Sequence, residues 1–322
     1  MGLTREGGVL LSMVLVLLWT LAMAETNWTS ISEFMLLGLS ERQDLQQLIF
    51  AGFLVTYLLN LVGNSMLVGL VWTDPQLHSP MYFLISQLSM VDIGMVSIIL
   101  PQALVHTLSQ HWAIPFTSCA VGNMEGFLLA AMAYDRYVAV CNPLRYAAMV
   151  TRSLCLKMAA AFWVVVISHS LLHTVMAARL RYCSNRLQNF FCNLQLLLRL
   201  PCTRPFANEM VISTVSLLVT VVPFTFILVS YARIGVTVVR LRSAQVLHKA
   251  LSTCSSHLTV VLLMYGSVLW FYLHPDSSNT PHKQQVTFFY TSVVPTLNPL
   301  IYSLRNKDVA AALRRAKKKV LG

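Results

Sequence analysis

Two carboxylates stand in stretches that are otherwise almost wholly apolar: Asp92 within SMVDIGMV and Glu125 within GNMEGFLL. Buried acids are costly and mark function when they persist in apolar segments. Asn64 and Asn298 occupy similar surroundings. Together the four could form a hydrated polar cluster that holds a sodium ion or a proton, or a hydrogen-bonded network without an ion. A second constellation is Asp135-Arg136-Tyr137, at the end of an apolar run. An acid beside an arginine can hold it as a closed ion pair, and releasing the arginine would open a crevice: a two-state switch that a ligand can bias. A third is Asn298-Pro299-Leu300-Ile301-Tyr302. Proline within a helix removes a backbone hydrogen bond and kinks it, so this is a hinge with Tyr302 on the moving segment. Pro223, with Tyr231 about two turns further on, could act alike.

Enzyme chemistry finds no support. The chain contains no HExxH, GxSxG or phosphate-binding loop, and its nine histidines are scattered. His169 and His173 are four apart, but no nearby carboxylate completes a metal site.

The elements that must position these residues follow from composition. Of 322 residues, 56% are hydrophobic and 11% charged, and the mean hydropathy is +0.65. Soluble domains carry about 25% charged residues, so lipid is the expected solvent. In lipid only helices or closed barrels satisfy every backbone polar group, and runs that are continuous rather than alternating favour helices. The expectation is an all-α membrane protein with seven spans near 47–72, 80–104, 119–141, 155–178, 208–233, 249–273 and 284–303. Each approaches or exceeds the ~20 residues a crossing needs. The membrane-spanning region is 47–305, after a 25–46 tail and before a basic 306–322 tail. Within that tail, 306–320 reads as a basic helix with one apolar stripe, lying along the inner leaflet. Residues 1–24 fit a signal peptide ending in Ala22-Met23-Ala24, but Met23 could equally be the true start.

Orientation comes from two signals. Asn27-Trp28-Thr29 is a glycosylation sequon, expected outside. With that end outside, the inner segments hold Arg136, Arg145, Arg152, Lys157, Arg233, Arg240, Arg242, Lys249, Arg305, Lys307, Arg314, Arg315, Lys317, Lys318 and Lys319, which is 15 of the 23 Lys and Arg. This is the positive-inside asymmetry. It accounts for the net charge of +11 through the membrane surface. Nucleic acid is not an expected partner, since the basic residues are dispersed over short loops. Of seven cysteines, Cys119, Cys183, Cys192 and Cys202 fall on the outer side, where two disulfides can form in three pairings. Cys141, Cys155 and Cys254 fall inside.

Several strings together resemble the class A G-protein-coupled receptors, and within them the olfactory receptors. They are Gly63-Asn64, PMYFLISQLSMVDI (80–93), MAYDRYVAVCNPLRY (132–146), Ser230-Tyr231, KALSTCSSHLTVV (249–261) and PTLNPLIYSLRNK (295–307). The likeness runs from about residue 27 to 319. It implies a plasma-membrane receptor that takes small volatile odorants in the outer half of its bundle and couples to an olfactory-type stimulatory G protein. It implies disulfides Cys119–Cys192 and Cys183–Cys202, and pocket candidates Val215, Ser216, Val219, Tyr265, Tyr272 and Thr291. Arg136 would contact the G protein, restrained by Asp135, and Lys249 with the 233–248 segment would frame the same crevice. No cofactor is implied beyond the sodium ion already considered.

One departure matters. Cys119 and Arg136 are 17 residues apart, about 25 Å of helix, and the family pattern has roughly eight residues more. Glu125 keeps its spacing to Arg136, so the loss falls between Cys119 and Glu125. This raises a second expectation, a receptor-derived protein that is retained in the endoplasmic reticulum and does not signal. A transporter should show an internal repeat with paired broken helices, and a channel repeated polar rings; neither is present.

Overall fold

The computed structural model describes residues 33–36, 43–108, 113–115, 124–178, 180, 186–187, 202, 206–242, 244–273, 281–305 and 307–321. Helices dominate. They are α1 (Gln43–Thr73), α2 (Pro80–Leu108), α3 (Met124–Cys141), the short α4 (Tyr146–Met149), α5 (Arg152–Ala178), α6 (Phe206–Leu241) and α7 (Ala244–Leu273). The last span is composite: α8 (Pro281–Phe288), a π-helical turn (Phe289–Val293) and α9 (Val294–Arg305), followed by α10 (Lys307–Leu321). Each of the seven stretches expected as spans overlaps a described helix, while residues 119–123 of the third lie outside the described residues. Four of them, within α1, α2, α5 and α6, are long and apolar enough to cross a membrane by length and composition alone.

Two compact units divide the chain: residues 1–50, 101–122 and 160–218 form one, and 51–100, 123–159 and 219–322 the other. The first contains a small sheet that sequence patterning did not anticipate. Its middle strand β1 (Glu33–Leu36) pairs antiparallel with β2 (Ala113–Pro115) and parallel with β3 (Arg186–Leu187). In the same unit Asn208 donates to the Met176 carbonyl at 3.3 Å, joining α6 to α5.

The second unit carries the core and the site. Leu67, Leu84, Ile85, Leu88, Leu100, Leu128, Leu129 and Met132 are fully buried. Large apolar side chains elsewhere face outward, including Leu58, Val62, Val222, Leu228, Val229 and Leu262. Apolar surface on this scale cannot be solvated by water and fits a hydrocarbon medium.

Local chemistry explains the bends. Pro299 has no N–H, so the Pro295 carbonyl one turn back loses its helical donor. The Asn64 side chain replaces it, donating to the Pro295 oxygen at 3.2 Å. Gly63 makes this approach feasible, because a Cβ there would lie 3.0 Å from Pro299 Cγ. Pro295 likewise cannot donate one turn back, and the π-helical turn ends two positions before it, at Val293. Between α6 and α7 the chain turns on Arg242, whose φ of 44° is left-handed. The 233–248 segment, expected as an inner loop, is therefore mostly helix: α6 continues to Leu241 and α7 begins at Ala244.

Candidate functional site

The C-terminal ends of α3 and α6 and the N-terminal end of α7 meet in one apolar cluster. Ile234, Val238, Ala250 and Cys254 form its centre, packed by Tyr137, Val140, Cys141, Tyr231 and Leu258. Polar groups cross this packing at a few points. The Asp135 carboxylate, buried at the end of α3, accepts a 2.7 Å hydrogen bond from Tyr146 Oη. Burial, and then the adjacent Asp135 carboxylate, push the Tyr146 phenol well above its ordinary value, so it remains a donor. Arg136 is held loosely, its Nε 3.9 Å from the other Asp135 oxygen. The expected pair therefore exists, but Tyr146, not Arg136, makes the short bond to Asp135. Sequence reasoning missed Tyr146, although it closes the quoted third-helix string.

The Tyr231 hydroxyl lies 2.7 Å from Nδ1 of His257, with the rings stacked at 5.7 Å between centroids. Nε2 of the same ring is 3.0 Å from the Leu129 carbonyl. A carbonyl only accepts, so Nε2 carries the proton and Nδ1 accepts from Tyr231. His257 thus ties α7 to both α3 and α6. It too was missed, since one histidine in an apolar helix gives no pattern. Arg136 lies within electrostatic range of Tyr231, Cys254, His257 and Tyr302. Lys249 lies on α7, and its side chain falls outside the described residues.

Deeper in the unit is the acid cluster. Asn298 donates to Asp92 at 2.8 Å, and the Asp92 and Glu125 carboxyls are close enough to interact electrostatically. Asn64 does not join them by a described bond; its amide goes to the Asn60 and Pro295 carbonyls, each at 3.2 Å. Asp92 Oδ1, Glu125 Oε1, Asn298 Oδ1, Asn64 Oδ1, Ser292 Oγ, Tyr302 Oη and both side-chain atoms of Asn60 have no hydrogen-bond partner among the described residues. No cluster of three or more His, Cys, Asp or Glu side chains that could hold a metal occurs among the described residues.

Glu125 sits near the N-terminal end of the described part of α3. The next residue, Gly126, receives the Tyr265 hydroxyl: a Cβ at Gly126 would lie 2.8 Å from that oxygen and 3.7 Å from Pro223 Cγ. Tyr265 also packs on Phe224 at 4.6 Å. Among the other pocket candidates, Val219 is half-buried on α6, and Thr291 is buried, bonding back to the Thr287 carbonyl at 2.7 Å. Val215 and Ser216, half-buried on α6, belong to the other unit, and the Tyr272 side chain is outside the described residues. Cys202 is disulfide-bonded. Asn27, Cys119, Cys183 and Cys192 lie outside the described residues.

The sequence profile of the family described as "Olfactory receptor" matches residues 53–319. The chain belongs to the olfactory receptor family. Among its relatives, Olfactory receptor 1J1 of Homo sapiens is 42% identical over 303 residues, covering 91% of this chain and 94% of the relative. Olfactory receptor 1496 of Rattus norvegicus is 44% identical, covering 90% and 96%. Olfactory receptor 12D1 of Homo sapiens is 43% identical, covering 92% and 96%. The receptor is accordingly a seven-helix, multi-pass membrane protein of the G-protein-coupled class, and not an enzyme. Disulfides and glycosylation are typical of the family.

Proposed function

We propose that this receptor binds small volatile odorants at the plasma membrane, with its N-terminus outside, and raises cyclic AMP through an olfactory-type stimulatory G protein. The observation that carries this reading is the inner end of α3. A buried Asp135 is fixed at 2.7 Å by Tyr146 while Arg136 stands 3.9 Å away. An arginine so loosely paired beside an apolar α3–α6–α7 contact needs little free energy to change partners, as a two-state coupling element requires. Tyr231, Lys249 and Tyr302 complete that inner surface, with Asn298 and Pro299 as the hinge. Disulfides Cys119–Cys192 and Cys183–Cys202 would brace the outer side, Asn27 would carry glycan, and Val215, Ser216, Val219, Tyr265, Tyr272 and Thr291 would face ligand. The oxygens of Asp92, Glu125 and Asn298 that lack a described partner suit a sodium ion or ordered water. Cyclic AMP measured across an odorant panel, with surface level recorded alongside, tests the reading. Arg136→Ala should remove at least about 90% of the response at equal surface level; an unchanged response would sink it.

A second reading rests on the sequence spacing. Cys119 and Arg136 are 17 residues apart, about 25 Å of helix and short of a ~30 Å hydrocarbon core. On this reading the receptor is retained inside the cell. Inserting eight residues between Cys119 and Glu125 then raises surface expression several-fold, whereas an unchanged surface signal counts against retention from this cause.

A further inference from the structure

We infer that Asp74 and Tyr82 are positioning residues that latch the last helix, α10, against the first inner turn. α9 ends at Arg305 and α10 begins at Lys307, so contacts made by α10 itself decide its rotation. The face of α10 that packs inward is small, with Val309 and Ala312 fully buried, while Asp308, Arg314, Lys317 and Lys318 are exposed. A face of short side chains gives little area to fix rotation about the helix axis.

Polar contacts fix it instead. Arg315 directs Nη2 and Nε onto one oxygen of Asp74, Oδ2, at 2.6 and 2.9 Å. The other oxygen, Oδ1, accepts from the Gln76 amide at 3.0 Å and caps the 3-10 turn Pro75–Leu77. One carboxylate therefore shapes its own turn and captures α10. Its side chain is only 13% exposed, so solvent screens the pair less than an open surface contact. The second point is Tyr82, in the first turn of α2, which donates to Asp308 Oδ2 at 2.9 Å. Asp308 and Arg315 are seven residues apart, two turns or about 10.5 Å along one side of α10. Two points so spaced define both position and rotation. Charge-assisted bonds of this length are the strong kind.

The function of the latch rests on the receptor reading above: it holds α10 beside the inner surface that the G protein meets. The test has two arms. In full-length protein in lipid nanodiscs, hydrogen–deuterium exchange at amides 309–316 is compared for wild type, Arg315→Asp, Asp74→Arg, the double swap and Tyr82→Phe. Each single charge variant should speed exchange about tenfold or more, Tyr82→Phe about threefold, and the swap should return it to within about threefold of wild type. Single variants at the wild-type rate, or a swap no better than either single, would overturn the latch. In cells at matched surface level, Arg315→Asp should cut the cyclic AMP response to the odorant panel about fivefold, and the swap should regain it. A swap that restores exchange but not response overturns the positioning role. If even wild type answers no odorant, that result bears on the receptor reading, and exchange alone decides the latch.

Discussion

Two polar clusters in the same unit solve the problem of buried polar groups in opposite ways. Along α3, from Leu129 towards its C-terminal end, protein closes most bonds itself: Tyr146 to Asp135, Tyr231 to His257, and His257 to the Leu129 carbonyl. Around Asp92 the protein leaves them open, with oxygens on Asp92, Glu125, Asn64 and Asn298 lacking a described partner. A buried polar atom without a partner costs about 1–3 kcal/mol, so the open cluster calls for water, a shared proton or a cation. In the closed cluster the exception is Arg136 Nε, which is buried without a hydrogen-bond partner among the described residues. The first is suited to hold one arrangement until it is exchanged for another; the second is suited to take up a small guest.

The comparison can be broken at its strongest point first. Tyr146→Phe strands a buried Asp135 oxygen and should lower stability by about 1–3 kcal/mol, read as a fall of several degrees in Tm of detergent-solubilised receptor. No change in Tm would mean that water replaces the phenol and that the inner cluster is not closed. Next, if the open cluster holds sodium, Tm in sodium chloride should exceed that in choline chloride at equal ionic strength. The gain at ten times the dissociation constant is about 1.4 kcal/mol, and Asp92→Asn should abolish it. Equal Tm in both salts removes the ion and leaves water or a proton.

The two tyrosines that end in hydroxyls of opposite fate give a finer contrast. Tyr231→Phe gives up a 2.7 Å bond to a neutral ring and should cost about 0.5–1.5 kcal/mol. Tyr265→Phe removes a hydroxyl with no described hydrogen-bond partner and should cost close to nothing. It should also relieve Gly126→Ala, whose added Cβ would meet that oxygen at 2.8 Å. A Tyr265→Phe loss equal to that of Tyr231→Phe would show that the Tyr265 hydroxyl is bridged by water.

Much of this was legible in the chain itself. Apolar runs without alternation determine seven helices, because in lipid the backbone must satisfy itself within each segment. Asp135-Arg136-Tyr137, Asn298-Pro299 and the two acids announce themselves, because charge and proline are conspicuous against apolar sequence. The register of those residues in space was not legible. Nothing in the order of residues says that Tyr146 reaches Asp135, that His257 joins three helices, that Asn64 substitutes for the hydrogen Pro299 lacks, or that Asp74 meets Arg315 across 241 positions. Such contacts depend on which faces of separate helices meet, and on the rotation at which they pack. Hydrophobic periodicity cannot specify that rotation where both neighbours and lipid are apolar; only the packed tertiary structure decides it.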